Sequence, residues 1–172
     1  MNKKPKKKNR NRVEILLFFL QVLALSTLPF KDNIFQLIFM YHHEISLRIR
    51  YGETDQMGVV YHGNYPQYLE SGRVEWLRSL GISYKNMEEN GWMLPVVSLT
   101  IQYKKPAVYD QVITVKTTLK NIPTVRISFE YEIRDERGQI LALAETDLVF
   151  MDTQNRKLLR CPDFILEKLG LP

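Results

Sequence analysis

The chain has 172 residues, 45% of them hydrophobic, which is enough for one packed domain and gives no reason to require a second. Its formal charge of +5 does not mark it as a nucleic-acid binder: Lys3, Lys4, Lys6, Lys7, Lys8, Arg10 and Arg12 supply seven of the 24 basic residues, and from residue 13 onward 17 basic side chains face 19 acidic ones. Cys161 is the only cysteine, which excludes an internal disulfide or a cysteine-based metal cluster within one chain and fits a reducing, cytoplasmic setting.

Residues 1–43 read as a basic and apolar extension. After the lysines, only Gln21, Ser26 and Thr27 interrupt an apolar run over 15–28, in the order of a signal peptide: positive region, then hydrophobic region. The run falls short of the roughly 20 apolar residues that a membrane span needs. Export would leave a second apolar patch, 34–40, without a use, so an upstream translation with Met40 as the natural start is favoured over a working signal. Membrane contact is expected only if the extension belongs to the native protein.

The foldable part is expected over residues 44–170. Ile45, Leu47, Ile49 and Tyr51 alternate with Ser46, Arg48 and Arg50, which predicts a strand with one buried face. Residues 52–63 are rich in glycine and polar side chains and predict a loop. Asn64 then reads as a helix N-cap, with Gln67 completing a capping box and Pro66 in the first turn, where its missing N–H costs nothing. Tyr65, Leu69, Gly72, Trp76 and Leu80 recur at three- and four-residue steps and place one apolar stripe along a helix that stops at Gly81. Glycine inside that helix costs about 1 kcal/mol relative to alanine, which implies close approach of another backbone at Gly72. A short helical turn over 83–89 follows, then strands over 93–103, 111–119, 125–134 and 139–151, and a closing helix over 163–169. Short linkers favour antiparallel neighbours, and the one long helix must cover the sheet's apolar face. The expected class is α+β.

The chemistry is concentrated in Glu53-Thr54-Asp55-Gln56-Met57-Gly58-Val59-Val60-Tyr61-His62-Gly63-Asn64-Tyr65. It sets a carboxylate on a loop just before the longest helix, whose first N–H groups lack intrahelical partners and direct partial positive charge outward. Such amides suit an oxyanion, and a carboxylate beside an oxyanion hole is most of an acyl-transfer site. A thioester fits because its thiolate leaving group departs with little acid help, so one carboxylate can suffice. Asp55 could attack the carbonyl or take a proton from an attacking water.

This stretch resembles the 4-hydroxybenzoyl-CoA thioesterase and YbgC-like hotdog thioesterases, and the likeness runs from about residue 45 to 169. It includes Tyr103-Lys104-Lys105-Pro106-Ala107 and Ala144-Glu145-Thr146. The resemblance implies a long central helix wrapped by a curved antiparallel sheet, paired into a dimer or tetramer. It also implies hydrolysis of an acyl-CoA, with coenzyme A as part of the substrate and no metal or organic cofactor. An acyl carrier protein is the alternative carrier. By position, Asp55 matches the catalytic aspartate and His62 the residue whose backbone N–H polarises the thioester carbonyl, with Tyr61 counted beside them. Gly58, Val59 and Gly63 are the matching substrate-binding positions, and Lys104 and Lys105 are candidates for the coenzyme A phosphates. Gln56-Met57 departs from the small residues usual after the aspartate, which leaves the acyl group open.

Structural uses compete for the same residues. Asp55 could simply bond its own turn, and the His62 side chain could be structural. His42 and His43 fall outside the patterned part, which argues against a histidine metal site. Glu70 and Glu75 on the helix suit salt bridges, and Trp76 and Trp92 suit the core or an interface. The rival functions are a non-catalytic acyl-binding protein and a hotdog dehydratase acting on carrier-bound chains.

Overall fold

The computed structural model describes residues 41–171; the apolar and basic runs over 1–40 lie outside the described residues. Five strands form one antiparallel sheet in the order β1-β4-β5-β6-β3, where β1 is His42–Arg48, β3 Val96–Tyr103, β4 Val112–Leu119, β5 Arg126–Asp135 and β6 Ile140–Val149. A single long helix, α1 (Tyr65–Ser79), is inserted between β1 and the rest, followed by α2 (Tyr84–Glu89). A two-stranded ribbon of β2 (Trp92–Met93) and β7 (Met151–Asp152) and the short α3 (Asp163–Lys168) complete the unit. This is the expected α+β hotdog arrangement, one helix against a curved antiparallel sheet.

Local sequence explains the elements. In β4, Ile113, Val115, Thr117 and Leu119 are buried in alternation, and in β5 Ile127, Phe129, Tyr131 and Ile133 continue the same face, as a period of two requires. From α1, Tyr65, Tyr68, Leu69, Gly72, Trp76 and Leu77 are buried against it. Trp76 sits fully inside, edge-on to Phe129 at 5.0 Å, and donates its Nε1–H to the Tyr41 carbonyl at 3.0 Å. The helix closes where glycine was expected: Gly81 adopts φ +76, and Ile82 N–H returns to the Leu77 carbonyl at 3.0 Å. Among the described residues no helix is long and apolar enough to cross a membrane.

Several details differ from the sequence reading. β1 begins at His42, because Thr118 and Thr117 of β4 pair with His42 and His43, so these histidines belong to the sheet. Tyr51 leaves the strand for a 3-10 turn, Tyr51–Glu53. The predicted strand over 93–103 is two strands in different sheets, broken at Leu94-Pro95 where proline has no ladder N–H to give. The strand predicted over 139–151 likewise ends at Val149, and β7 pairs with β2.

The close approach at Gly72 is real, but it comes from a side chain. A methyl group there would collide with Thr117 Oγ1 and stand 3.1 Å from Val115 Cγ1, both on β4. Glycine therefore lets α1 settle onto β1, β4 and β5. The far half of the face is left open: Leu99 and Tyr103, paired with the buried Thr146 and Ala142 on the same face, remain 42% and 49% exposed.

Gly72→Ala should lose about 1 to 2 kcal/mol, because overpacking costs more than the roughly 1 kcal/mol of helix propensity gained. Urea unfolding checks this, and adding Thr117→Ala should recover part of the loss by removing the colliding hydroxyl.

Candidate active site

The loop between β1 and α1 is closed across its base by one residue. The Glu53 carbonyl accepts Tyr61 N–H at 2.9 Å and Asn64 Nδ2–H at 2.7 Å, while its carboxylate Oε2 accepts Arg50 N–H at 2.8 Å and the Tyr68 hydroxyl at 2.9 Å. Burial, and then the neighbouring Glu53 carboxylate, push the Tyr68 phenol well above its usual range, so Tyr68 is a fixed donor. Asn64 does not act as the expected N-cap. A 3-10 turn, His62–Asn64, runs straight into α1, so Asn64 already has helical φ and ψ (−86, −20) and its side chain points back to the loop.

Inside that closure the chain makes a tight reversal. Thr54 bridges Val60, Asp55 N–H bonds the Val59 carbonyl at 2.9 Å, and Gly58 N–H bonds the Asp55 carbonyl at 2.9 Å. Gly58 holds φ +74, a conformation that costs an L side chain roughly 1–2 kcal/mol. Asp55 Oδ1 accepts Met57 N–H at 2.8 Å, so the turn-forming use of this aspartate is present. It engages only one carboxylate oxygen, and Oδ2 has no donor from the described residues.

Asp55, Val59 and His62 line one open cavity of about 300 Å³ together with Tyr65, Tyr103, Lys104 and Lys105. The amides that open the 3-10 turn, at His62 and Gly63, have no carbonyl of their own turn to bond, and their dipoles favour negative charge at this end. A carboxylate, two candidate cations and the amino end of the long helix thus share one cavity, a set of groups suited to acyl chemistry on a phosphate-bearing substrate.

The remaining candidates stand just off the lining. Gly58 shapes the turn. Tyr61 is 47% exposed and packs on its neighbour His62 at 4.3 Å between ring centroids, and Gly63 leaves room for the Tyr61 ring, whose Cε1 would lie 2.6 Å from a Cβ there. Glu75 pairs with Arg78 on the helix surface, Trp76 is core, and Trp92 is half-buried against Phe164 at 5.6 Å. Burial pushes the Cys161 thiol up to about 12, which leaves it unreactive. Sequence reasoning gave no site role to Glu53, Tyr65, Tyr68 or Tyr103, although Glu53 and Tyr65 bound the motif itself. The last of these stood in plain view beside the two lysines.

This fold and site define a thioester hydrolase of the hotdog class. The family model of the Thioesterase-like superfamily matches residues 49–169, and the chain belongs to that family. YneP of Bacillus subtilis (strain 168), provisionally named an acyl-CoA thioesterase, is 35% identical over 64% of this chain and 80% of its own length. The acyl-acyl carrier protein thioesterase ATL2 of Arabidopsis thaliana is 39% identical over 74% of this chain and 68% of its own. Among solved structures, the DHNA-CoA thioesterase of Staphylococcus aureus superposes with a TM-score of 0.72 at 34% identity, covering 76% of this chain and 90% of that one.

Tyr68→Phe should cost about 1.5–3 kcal/mol, the worth of a hydrogen bond to a charged group, and loosen the loop that Glu53 closes. Thermal unfolding of the variant, with hydrogen exchange of the Tyr61 amide, measures both effects.

Proposed function

We propose that this protein hydrolyses acyl-CoA thioesters to free acid and coenzyme A, with Asp55 as the catalytic carboxylate and the backbone N–H of His62 as an oxyanion donor. The observation that carries the reading is the shared cavity: Asp55, His62 seven positions on, and Tyr65 at the start of α1 line the same space. Oδ2 of Asp55 is the oxygen available for reaction, since Oδ1 is held by Met57 N–H.

Two routes conserve atoms. In one, Oδ2 attacks the thioester carbon, the C–S bond breaks with coenzyme A leaving as thiolate, and water then cleaves the mixed anhydride to acid and free Asp55. In the other, the carboxylate takes a proton from a water that attacks directly, and the proton passes to the departing thiolate. The His62 amide and the helix dipole stabilise the carbonyl oxygen as it gains charge in either case. Tyr61 packs on His62 and steadies the turn, and Gly58, Val59 and Gly63 shape the bed for the acyl carbonyl. Lys104 and Lys105 attract the phosphates of the carrier. No metal or organic cofactor is invoked, and the cytoplasm, where a free thiol such as Cys161 persists, is the setting.

The working unit in this reading is a pair of chains along β3, or a tetramer of such pairs. Among the described residues β3 is an edge of the sheet, with Val97 53% exposed beside Leu99 and Tyr103, an apolar strip that favours a second copy over water. Tyr103 belongs to both that strip and the cavity, so the second chain would border the acyl group. Delivery by an acyl carrier protein is the second reading, favoured by the name of the Arabidopsis relative.

Asp55→Asn should keep fold and oligomer by light scattering and lower kcat by about 10³-fold or more in a free-thiol assay over benzoyl, short-chain and long-chain CoA esters. Unchanged turnover would remove Asp55 from the mechanism. Replacing Lys104 and Lys105 together with alanine should raise KM severalfold and flatten its salt dependence, with kcat nearly constant. Running the same panel on acyl carrier protein thioesters separates the two carriers.

A further inference from the structure

Glu70 and Arg73 stand about one turn apart on α1, a spacing at which acid and base can pair along a helix. Glu75 and Arg78, at the same spacing, do pair. Glu70 and Arg73 do not, and among the described residues neither has an ion-pair partner. Arg73 is half-buried and turns toward the open half of the sheet face. Its Nη1 donates to the Tyr131 hydroxyl at 3.4 Å, and Tyr131 shares a second hydrogen bond of 2.9 Å with Thr146 of β6, the residue opposite Leu99 of β3. Glu70 faces the same way: burial raises the Tyr84 phenol, and the charges of both Arg73 and Glu70 bear on it.

This flank of the helix leans toward the edge strand. Tyr65, at the amino end of α1, packs on Tyr103 of β3 at 5.0 Å between ring centroids, and Glu70 and Arg73 follow within about two turns. Two β3 edges paired antiparallel are related by a two-fold axis perpendicular to the joined sheet, which keeps both helices on one face and runs them in opposite directions. Every contact across such an axis occurs twice with the roles exchanged. An acid and a base on one flank therefore match a second copy of themselves, and both contacts join opposite charges.

We propose that Glu70 and Arg73 are the self-complementary charges of the dimer interface, each Glu70 pairing with the partner's Arg73 across the two-fold axis. The inference rests on the pairing along β3 and names the contacts that fix how the two helices lie. Val97, Leu99 and Tyr103 supply apolar burial, which has no direction, whereas the two ion pairs select one register and reject others by like-charge contact. Tyr131 steadies the guanidinium from the core side, so Arg73 has less freedom to lose on pairing.

The test is charge reversal in the full chain, read as the dimer dissociation constant by analytical sedimentation, with circular dichroism as the check on folding. Glu70→Arg and Arg73→Glu should each weaken the homodimer by about 10²-fold, because either change sets like charges face to face twice. The neutral Glu70→Gln and Arg73→Gln, which disturb the chain least, should weaken it by about tenfold. The decisive arm is a mixture. Chains with Glu70→Arg and chains with Arg73→Glu should join into a heterodimer of near-parent affinity, since every contact between them is again acid to base. An ion pair confined to one chain gives no such rescue. Three results would overturn the proposal: reversed homodimers of parent strength, a mixture that stays apart, or an intact dimer in which Arg73→Gln only raises KM for acyl groups that bear a carboxylate, which would give Arg73 to the substrate. Val97→Lys on β3 separates the inference from its premise. A monomeric parent, or a dimer indifferent to Val97→Lys, would defeat the pairing along β3 and this assignment with it; a dimer broken by Val97→Lys but indifferent to both charge reversals would defeat the assignment alone.

Discussion

Glu53 is the residue on which the geometry of the site depends. Its carbonyl gathers Tyr61 N–H and the Asn64 amide, and its carboxylate gathers Arg50 N–H and the Tyr68 hydroxyl. Four donors on one residue close a loop whose ends would otherwise be free to drift, and the reversal at Asp55 to Gly58 is folded inside that closure. A charged acceptor with two donors forms stronger hydrogen bonds than a neutral one, which is why this knot can hold the carboxylate-bearing loop against the helix.

The helix itself is set by what it lacks. Without a Cβ at Gly72, α1 rests on the Thr117 and Val115 side chains and covers one half of the sheet face. The half nearest β3 is left with Leu99 and Tyr103 partly exposed, and the cavity opens there. Closure of the core on one side and opening of the site on the other are consequences of the same packing. Tyr103 bridges them, since it stands on the edge strand and bonds the backbone at the start of the helix.

Much of the layout was legible in the residues. Period-two burial in β4 and β5, the apolar stripe of α1 and its stop at Gly81 are local properties that depend on side-chain spacing alone. The placement of Asp55 ahead of the helix start was legible for the same reason. The misreadings share a cause. Asn64 looks like an N-cap until the 3-10 turn before it consumes that role, and 93–103 looks like one strand until Pro95 hands the chain from one sheet to the other. His42 and His43 lack an apolar pattern, yet backbone pairing with β4 carries them into the sheet regardless of their side chains.

The order of side chains along the chain determined by itself which segments are helix and strand, where the carboxylate stands relative to the helix start, and which family the motif belongs to, because each of these depends on neighbours within a few residues. Tertiary structure alone decided that Glu53 and Tyr68 lock the loop, that Thr117 lies under Gly72, and that a tyrosine 41 residues away bonds the His62 carbonyl ahead of the helix. Contacts of that kind have no period and no fixed spacing. They exist only once the sheet has brought distant strands against the helix, and the chain order carries no local signal of them.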